Sequence, residues 1–233
     1  MKNTERLVVV TGAGRGVGAA TVQVLAAMPD VRVIAVSRSL GALRTTLGGQ
    51  PNVELVQLDL QATGSVAALV AHVGQRRLHA LVHNAAVLHK ASIGTHQRAD
   101  LEGVFLTNVI APLELSQALA PQLAGDPPGH IVSISSMGGF QDAAKFPGLV
   151  AYSASKAALA CMAQCLAEEY KDVGISSNCL ALGSVDTEML RAAFPGYQAS
   201  TTAEAMGAYV AEFSLNGHKL FNGKVIPVSA STP

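Results

Sequence analysis

Charge is scarce in this chain, and neither sign prevails. Charged residues make up 14% of the 233 positions, with Lys+Arg and Asp+Glu equal at 16 each. A general affinity for nucleic acid or for an anionic membrane is therefore not expected. Long apolar runs are missing too. After MKNTER only a short one precedes Gly12, too short for a signal-peptide core or a bilayer span, and no other stretch could cross a membrane. Cysteine occurs three times, at Cys161, Cys165 and Cys179, without metal-ligand spacing. Seven histidines are scattered along the chain, so no metal site is expected. Cys161 and Cys165 stand one helical turn apart, where packing is the expected role, and a reducing cytoplasm is the simplest compartment. Linkers, repeats and low-complexity tracts are absent, which favours a single domain over 1–233. What abounds is apolar surface. Hydrophobic residues reach 49%, enough for a substantial core and a subunit interface.

Apolar runs alternate with helical patterns. Strands are predicted near 6–11, 31–37, 53–58, 78–83, 130–135, 175–182 and 224–229. Helices are predicted near 16–28, 39–47, 63–74, 97–124, 151–172 and 201–214. Strands that lack polar alternation are buried on both faces, so the sheet should be parallel and covered by helices. The expected fold is a single-domain α/β Rossmann fold, a doubly wound seven-stranded parallel sheet with helices on both faces. Thr201-x-x-Glu204 reads as a capping box opening the last helix. Loops at 137–150 and 183–200 follow strand C-termini, where open α/β sheets bind ligands. The second belongs to a substrate loop expected at about 183–205.

The stretch VVVTGAGRGVG ends the first strand in glycine at 12, 14, 16 and 18. A phosphate-binding Walker loop is excluded because no Gly-Lys-Ser/Thr follows, and the strict G-x-G-x-x-G spacing is missed as well. The pattern present is Thr11-Gly12-x-x-x-Gly16-x-Gly18. Gly12 and Gly16 permit a tight turn, and Gly18 permits close helix–sheet packing. The helix N-terminus then offers N–H groups and a positive dipole end to a pyrophosphate. The next strand closes on Ser37-Arg38, with no acid at 36–39 to take a ribose 2′-hydroxyl. Arg38 and Arg15 would instead grip a 2′-phosphate, which favours NADP(H) over NAD(H).

Tyr152-Ser-Ala-Ser-Lys156 opens an alanine-rich helix, with Tyr and Lys on one face. A nearby ammonium should lower the Tyr152 pKa from its usual value of about 10. Ser135 and Ser136 end a strand upstream, and Asn108 interrupts the apolar run FLTNVIAPL.

Together these pieces resemble the short-chain dehydrogenase/reductase family from end to end. They are TGAGRGVG at 11–18, LDL at 58–60, HNAA at 83–86, Asn108, IVSISS at 131–136, YSASK at 152–156 and LGSVDTEM at 182–189. The resemblance implies catalytic roles for Asn108, Ser136, Tyr152 and Lys156. Tyr152 would exchange a proton with the carbonyl oxygen. Lys156 would lower the Tyr152 pKa and bind the nicotinamide ribose. Ser136 would polarise the carbonyl, and Asn108 would hold a relay water. The implied cofactor contacts are Gly12, Gly14, Arg15, Gly16, Val17, Gly18, Ser37, Arg38, Asp59, Leu60, Asn84, Ala85, Gly183, Val185 and Thr187, besides Tyr152 and Lys156. Ser136, Met137, Met189 and Phe194 are the candidate substrate contacts. Met189, Leu190, Phe194 and Tyr197 either line a pocket or pack a short helix under its loop.

The chain also departs from the family pattern. His83 and Ala86 stand where Asn and Gly are usual, Pro is missing before Gly183, and VSAS replaces Asp-Gly-Gly near the end. The interval from Ser136 to Tyr152 is a few residues longer than is usual, with QDAAKFPGLV between, which leaves Ser135 as a rival for the serine role. The reading that follows is an NADPH-dependent reduction of a small or medium, largely apolar ketone or aldehyde by a homodimer or homotetramer. Alternatives are an oxidative alcohol or hydroxysteroid dehydrogenase and a non-catalytic NADP-binding redox sensor.

Overall fold

The structure, a computed structural model, describes residues 5–47 and 49–230. The outermost parts of the expected 1–233 domain, including Ser231 of VSAS, lie outside the described residues. Among the described residues the strands are β1 (Arg6–Thr11), β2 (Val31–Ser37), β3 (Val53–Gln57), β4 (Leu78–His83), β5 (Gly129–Ser136), β6 (Ile175–Leu182), β7 (Val185–Asp186), β8 (Thr201–Thr202) and β9 (Val225–Val228). Seven of them form one parallel sheet in the order β3-β2-β1-β4-β5-β6-β9, while β7 and β8 pair with each other. The helices are α1 (Gly16–Ala26), α2 (Gly41–Leu47), α3 (Ser65–Val73), α4 (Arg98–Phe105), α5 (Ala111–Ala118), α6 (Ala120–Leu123), α7 (Val150–Glu169), α8 (Glu188–Ala193) and α9 (Ala203–Asn216).

The β-branched runs explain why the sheet is covered on both sides. Alternate residues of one strand feed two cores. Val8 and Val10 of β1 pack with Val22 and Leu25 of α1 and with Val210 and Phe213 of α9. Val9 points the other way, into a cluster with Leu69 of α3, Leu115 of α5 and Leu166 of α7. Burying each such side chain contributes roughly 1.5–3 kcal/mol, so these runs have no stable exposed alternative. Strand order reverses at β1, where the chain leaves for β2 on one side and later returns to β4 on the other. That switch point opens a crevice at the strand C-termini.

Three local expectations are corrected. The single helix expected over 97–124 is broken by a π-helical turn, Leu106–Ile110, and by a bend at Leu119 between α5 and α6. The expected capping box is a simple cap instead, because Thr202, not Thr201, accepts the Ala205 N–H, and Ala205 stands where a box needs Glu or Gln. Cys161 and Cys165 do not pack inside but are exposed on α7. No helix among the described residues is long and apolar enough to cross a membrane.

Candidate active site

A cleft of about 800 Å³ opens over the C-terminal ends of the sheet. Its outer half is floored by the glycine loop between β1 and α1. Gly12 has φ +66°, and a Cβ there would stand 2.6 Å from the Cα of Ala85. A Cβ on Gly14 would meet the Ser37 Oγ at 2.3 Å, and one on Gly18 the Asn84 Nδ2 at 2.3 Å. Side chains at these positions would fill the cradle or push its walls apart. The loop's shape is held by Asn84, whose Nδ2 donates to the carbonyls of Thr11 at 3.1 Å and Gly12 at 3.0 Å. Thr11 braces the same corner, its hydroxyl donating to Val82 O at 3.2 Å and accepting from the Asn84 N–H.

The N-terminus of α1 has no capping side chain and no acid in its first turn. Its free N–H groups and positive dipole end face the cleft unopposed, which suits a pyrophosphate. Val17, Ser37, Arg38, Asp59, Leu60 and Ala85 line the same space, with Gly183, Val185 and Thr187 across from them. Thr187 sits beside Gly16 and caps α8, its hydroxyl accepting the Leu190 N–H at 3.3 Å. These features fit the diphosphate and ribose portions of a dinucleotide.

Arg15 lines the cleft and has a partner that the sequence did not show. Its guanidinium bonds the Glu188 carboxylate at 2.6 Å, across the mouth of the cleft. Arg38 lines the cleft and is exposed.

The inner half holds the chemistry. Tyr152 and Lys156 stand one turn apart on α7, and the Lys156 ammonium lies 5.8 Å from the Tyr152 ring centre. Lys156 is only 2% exposed, and its ammonium donates to the Ile134 carbonyl at 2.7 Å. Burial pulls its pKa down to about 8. Tyr152 is pushed up to about 12 by burial, against which a hydrogen bond with Ser136 acts. The expectation of a lowered phenol pKa is thus corrected. Desolvation of the phenolate outweighs the ammonium here, and a carbonyl already holds one ammonium N–H.

The two serines separate clearly. Ser135 is buried, and its hydroxyl donates to the Lys156 carbonyl at 2.8 Å. Ser136 lines the cleft beside Tyr152, its Oγ also accepting the Gly138 N–H at 3.1 Å. Met137, Met189 and Phe194 line the cleft as well.

Asn108 stands behind the cleft, in the π turn. Its Nδ2 donates to Val87 O and to Ser155 Oγ, both at 2.9 Å, and its Oδ1 accepts the Val87 N–H at 2.8 Å. Both amide N–H groups are used, so this side chain ties the loop after β4 to α7. The water expected on it would bond an oxygen, since both N–H groups are taken. π turns inside α-helices recur at functional sites, and this one marks where the chain sacrifices regular bonding to set that tie.

Sequence reasoning did not single out Glu188 and Ser155, although they lie in LGSVDTEM and YSASK, and it named no residue of QDAAKFPGLV, from which Phe146 reaches the cleft. It also took the histidines as scattered, yet His218 meets His79 and His130 with ring centres 5.5 Å apart in each case. That cluster joins the N-terminal ends of β4 and β5 to the turn after α9, away from the cleft, and no group of three or more His, Cys, Asp or Glu among the described residues is arranged to hold a metal.

Comparison with known proteins gives this geometry a family. Residues 6–198 match the family model described as short chain dehydrogenase. The protein olcF of Penicillium canescens, a short-chain dehydrogenase/reductase, is 30% identical over 190 residues, covering 80% of this chain and 71% of its own. An NADPH-bound carbonyl reductase from chicken fatty liver superposes with a TM-score of 0.83 at 30% identity, over 95% of this chain and 96% of its own. A short chain dehydrogenase from Burkholderia cenocepacia in complex with NADP reaches 0.87 at 27% identity, over 99% of both chains. The chain belongs to the short-chain dehydrogenase/reductase family of NAD(P)-dependent oxidoreductases.

Proposed function

We propose that this chain is an NADPH-dependent reductase that converts a small or medium, largely apolar ketone or aldehyde to an alcohol, within one catalytic domain. The observation that carries the reading is the convergence of Tyr152, Ser136 and Lys156 at the inner end of a cleft whose outer end is the uncapped N-terminus of α1. The bound cofactor supplies the hydride. Tyr152, kept as a phenol at neutral pH by burial, donates the proton to the carbonyl oxygen. Ser136 orients that oxygen and polarises the carbonyl. Lys156, whose ammonium remains the majority form at pH 7, holds positive charge beneath the site and has N–H groups left for a ribose. Asn108 positions α7 through Ser155.

NADP(H) preference rests on Arg38, on Arg15 and on the lack of an acid at 36–39. Both similar structures described above carry NADP or NADPH in their descriptions. Glu188 competes for Arg15, and the pair is exposed at 67% and 63%, so it is easily exchanged. Glu188→Gln is expected to tighten NADP binding roughly twofold to fivefold, with a smaller change for NAD. Calorimetric titration of both cofactors checks this, and an equal change for the two would argue that Arg15 does not reach the 2′-phosphate.

Exposed Ile110 and Leu113 beside α7, with Val150 on it, support a homodimer or homotetramer. The free cysteines support a reducing compartment such as the cytoplasm. The test of function is NADPH absorbance with a panel of ketones, diketones, quinones and aldehydes. Carbonyl-dependent oxidation is the expected result. Tight NADPH binding without turnover on any member would transfer the reading to a redox sensor.

A further inference from the structure

A second hollow of about 410 Å³ adjoins the main cleft. Phe146 and Phe194 line both spaces and so form a shared wall. Their rings meet edge to face with centres 5.2 Å apart. The hollow is built by three loops. The one after β4 supplies Lys90 and Ser92, the one after β5 supplies Phe146 and Gly148, and the end of α8 supplies Phe194.

Lys90 is held there in a defined way. Gly148 has φ +82°, and a Cβ on it would stand 3.1 Å from the Lys90 Cγ, so the glycine makes room for the lysine stem. The Ala91 N–H donates to the Gly148 carbonyl at 3.0 Å, joining the first two loops. The Lys90 ammonium donates to Ala193 O at 2.6 Å and lies 5.4 Å from the Phe194 ring centre. That leaves it N–H groups to give. Among the described residues no carboxylate pairs with this exposed ammonium, whereas Arg15 and Arg191 are matched by Glu188 and Asp186. An ammonium over one aromatic ring, beside a reaction cleft and with N–H groups left, can take an anion.

We propose that this hollow is a carboxylate subsite and that the substrate class is an oxo acid. Its carbonyl sits at Tyr152 and Ser136, its planar or apolar body lies along Phe146 and Phe194, and its carboxylate bonds Lys90, with the Ser92 hydroxyl as a second donor. This assignment rests on the reductase reading for the carbonyl end alone. The bland alternative is that Lys90 only clasps the loops by bonding the last carbonyl of α8.

The experiment uses 4-acetylbenzoate, whose ring lies between its ketone and its carboxylate, and its methyl ester as probes. Their binding is measured by calorimetry and their reduction by NADPH absorbance, on the full chain and on Lys90→Met and Lys90→Arg. The acid is expected to bind about tenfold more tightly than the ester. Lys90→Met should raise KM for the acid about tenfold with kcat retained and leave the ester unchanged, and Lys90→Arg should restore much of the difference. Equal binding of acid and ester by the unaltered chain, or an equal loss for both in Lys90→Met, overturns the subsite and leaves Lys90 a clasp. Failure of the acid to bind overturns it as well. Lys90-dependent acid binding without any NADPH oxidation would keep the subsite and remove the reductase reading, so the two fail separately.

Discussion

Tyr152→Phe is expected to lower carbonyl reduction by at least about a hundredfold while leaving NADPH affinity within about twofold. The change removes one oxygen from a residue that lines the cleft and alters no backbone. The ring still packs where it did, one turn from Lys156. What disappears is the proton donor. Burial keeps Tyr152 in its protonated form, at about 12, and only Ser136 bonds it. Ser135 cannot replace it, because its buried hydroxyl gives its proton to the Lys156 carbonyl, and Ser136 is a weaker acid than the phenol. An alkoxide forming at the carbonyl oxygen would then have to take its proton from water. Single-turnover absorbance with NADPH, beside a binding titration, checks both halves. A variant that keeps more than about a tenth of the turnover would show that Tyr152 is not the acid.

The same residue marks how far the sequence carries. The seven strands of the main sheet lie close to where the Val/Ile/Leu runs put them, because burial on both faces leaves those runs one stable arrangement. Gly12, Gly14 and Gly18 were legible as a cradle since steric exclusion acts on the backbone itself. The pKa of Tyr152 was not legible. Spacing on a helix gives the neighbour, but the sign of the shift depends on the desolvation of a site assembled from β5, α7 and the loops. The break at Leu106–Ile110 escaped for a related reason. The apolar periodicity of FLTNVIAPL continues through it, and only the bonds from Asn108 to Val87 and Ser155 explain the π turn. Arg15 and Glu188 are 173 residues apart, so no local pattern could pair them. Thr201 and Thr202 are equally good caps by chemistry and both lie in β8, so no local pattern chose Thr202.

Stability is expected to hold above about pH 6.5 and to fall as pH drops from there toward about 3, and two buried histidines set that window. His83 and His130 are both pulled down to about 3 by burial. The unfolded chain binds their protons near pH 6.5 and the folded chain refuses them, so acid favours unfolding. The hydrogen bonds make the refusal structural. Ser116 gives its proton to Pro112 O, so it must accept from Nε2–H of His83, which leaves His83 Nδ1 bare and buried. His130 gives Nδ1–H to Ser214 O and accepts from the Asn178 amide at Nε2, so a second proton there would face an N–H. Each histidine contributes up to about 1.4 kcal/mol per pH unit inside the window. Between pH 7.5 and 5.0 the two together should cost about 2–4 kcal/mol of unfolding free energy. Glu54, held low by Arg76 and His72 against the opposing effect of burial, adds its own loss only below the ordinary carboxylate range, so stopping at pH 5.0 isolates the histidines. His79 and His218, also held low by burial, add to the same loss, so urea unfolding at the two pH values measures the difference and His83→Asn should remove up to about half of it. Equal stability at both pH values would mean that His83 and His130 find a proton's worth of charge tolerable where the fold has buried them.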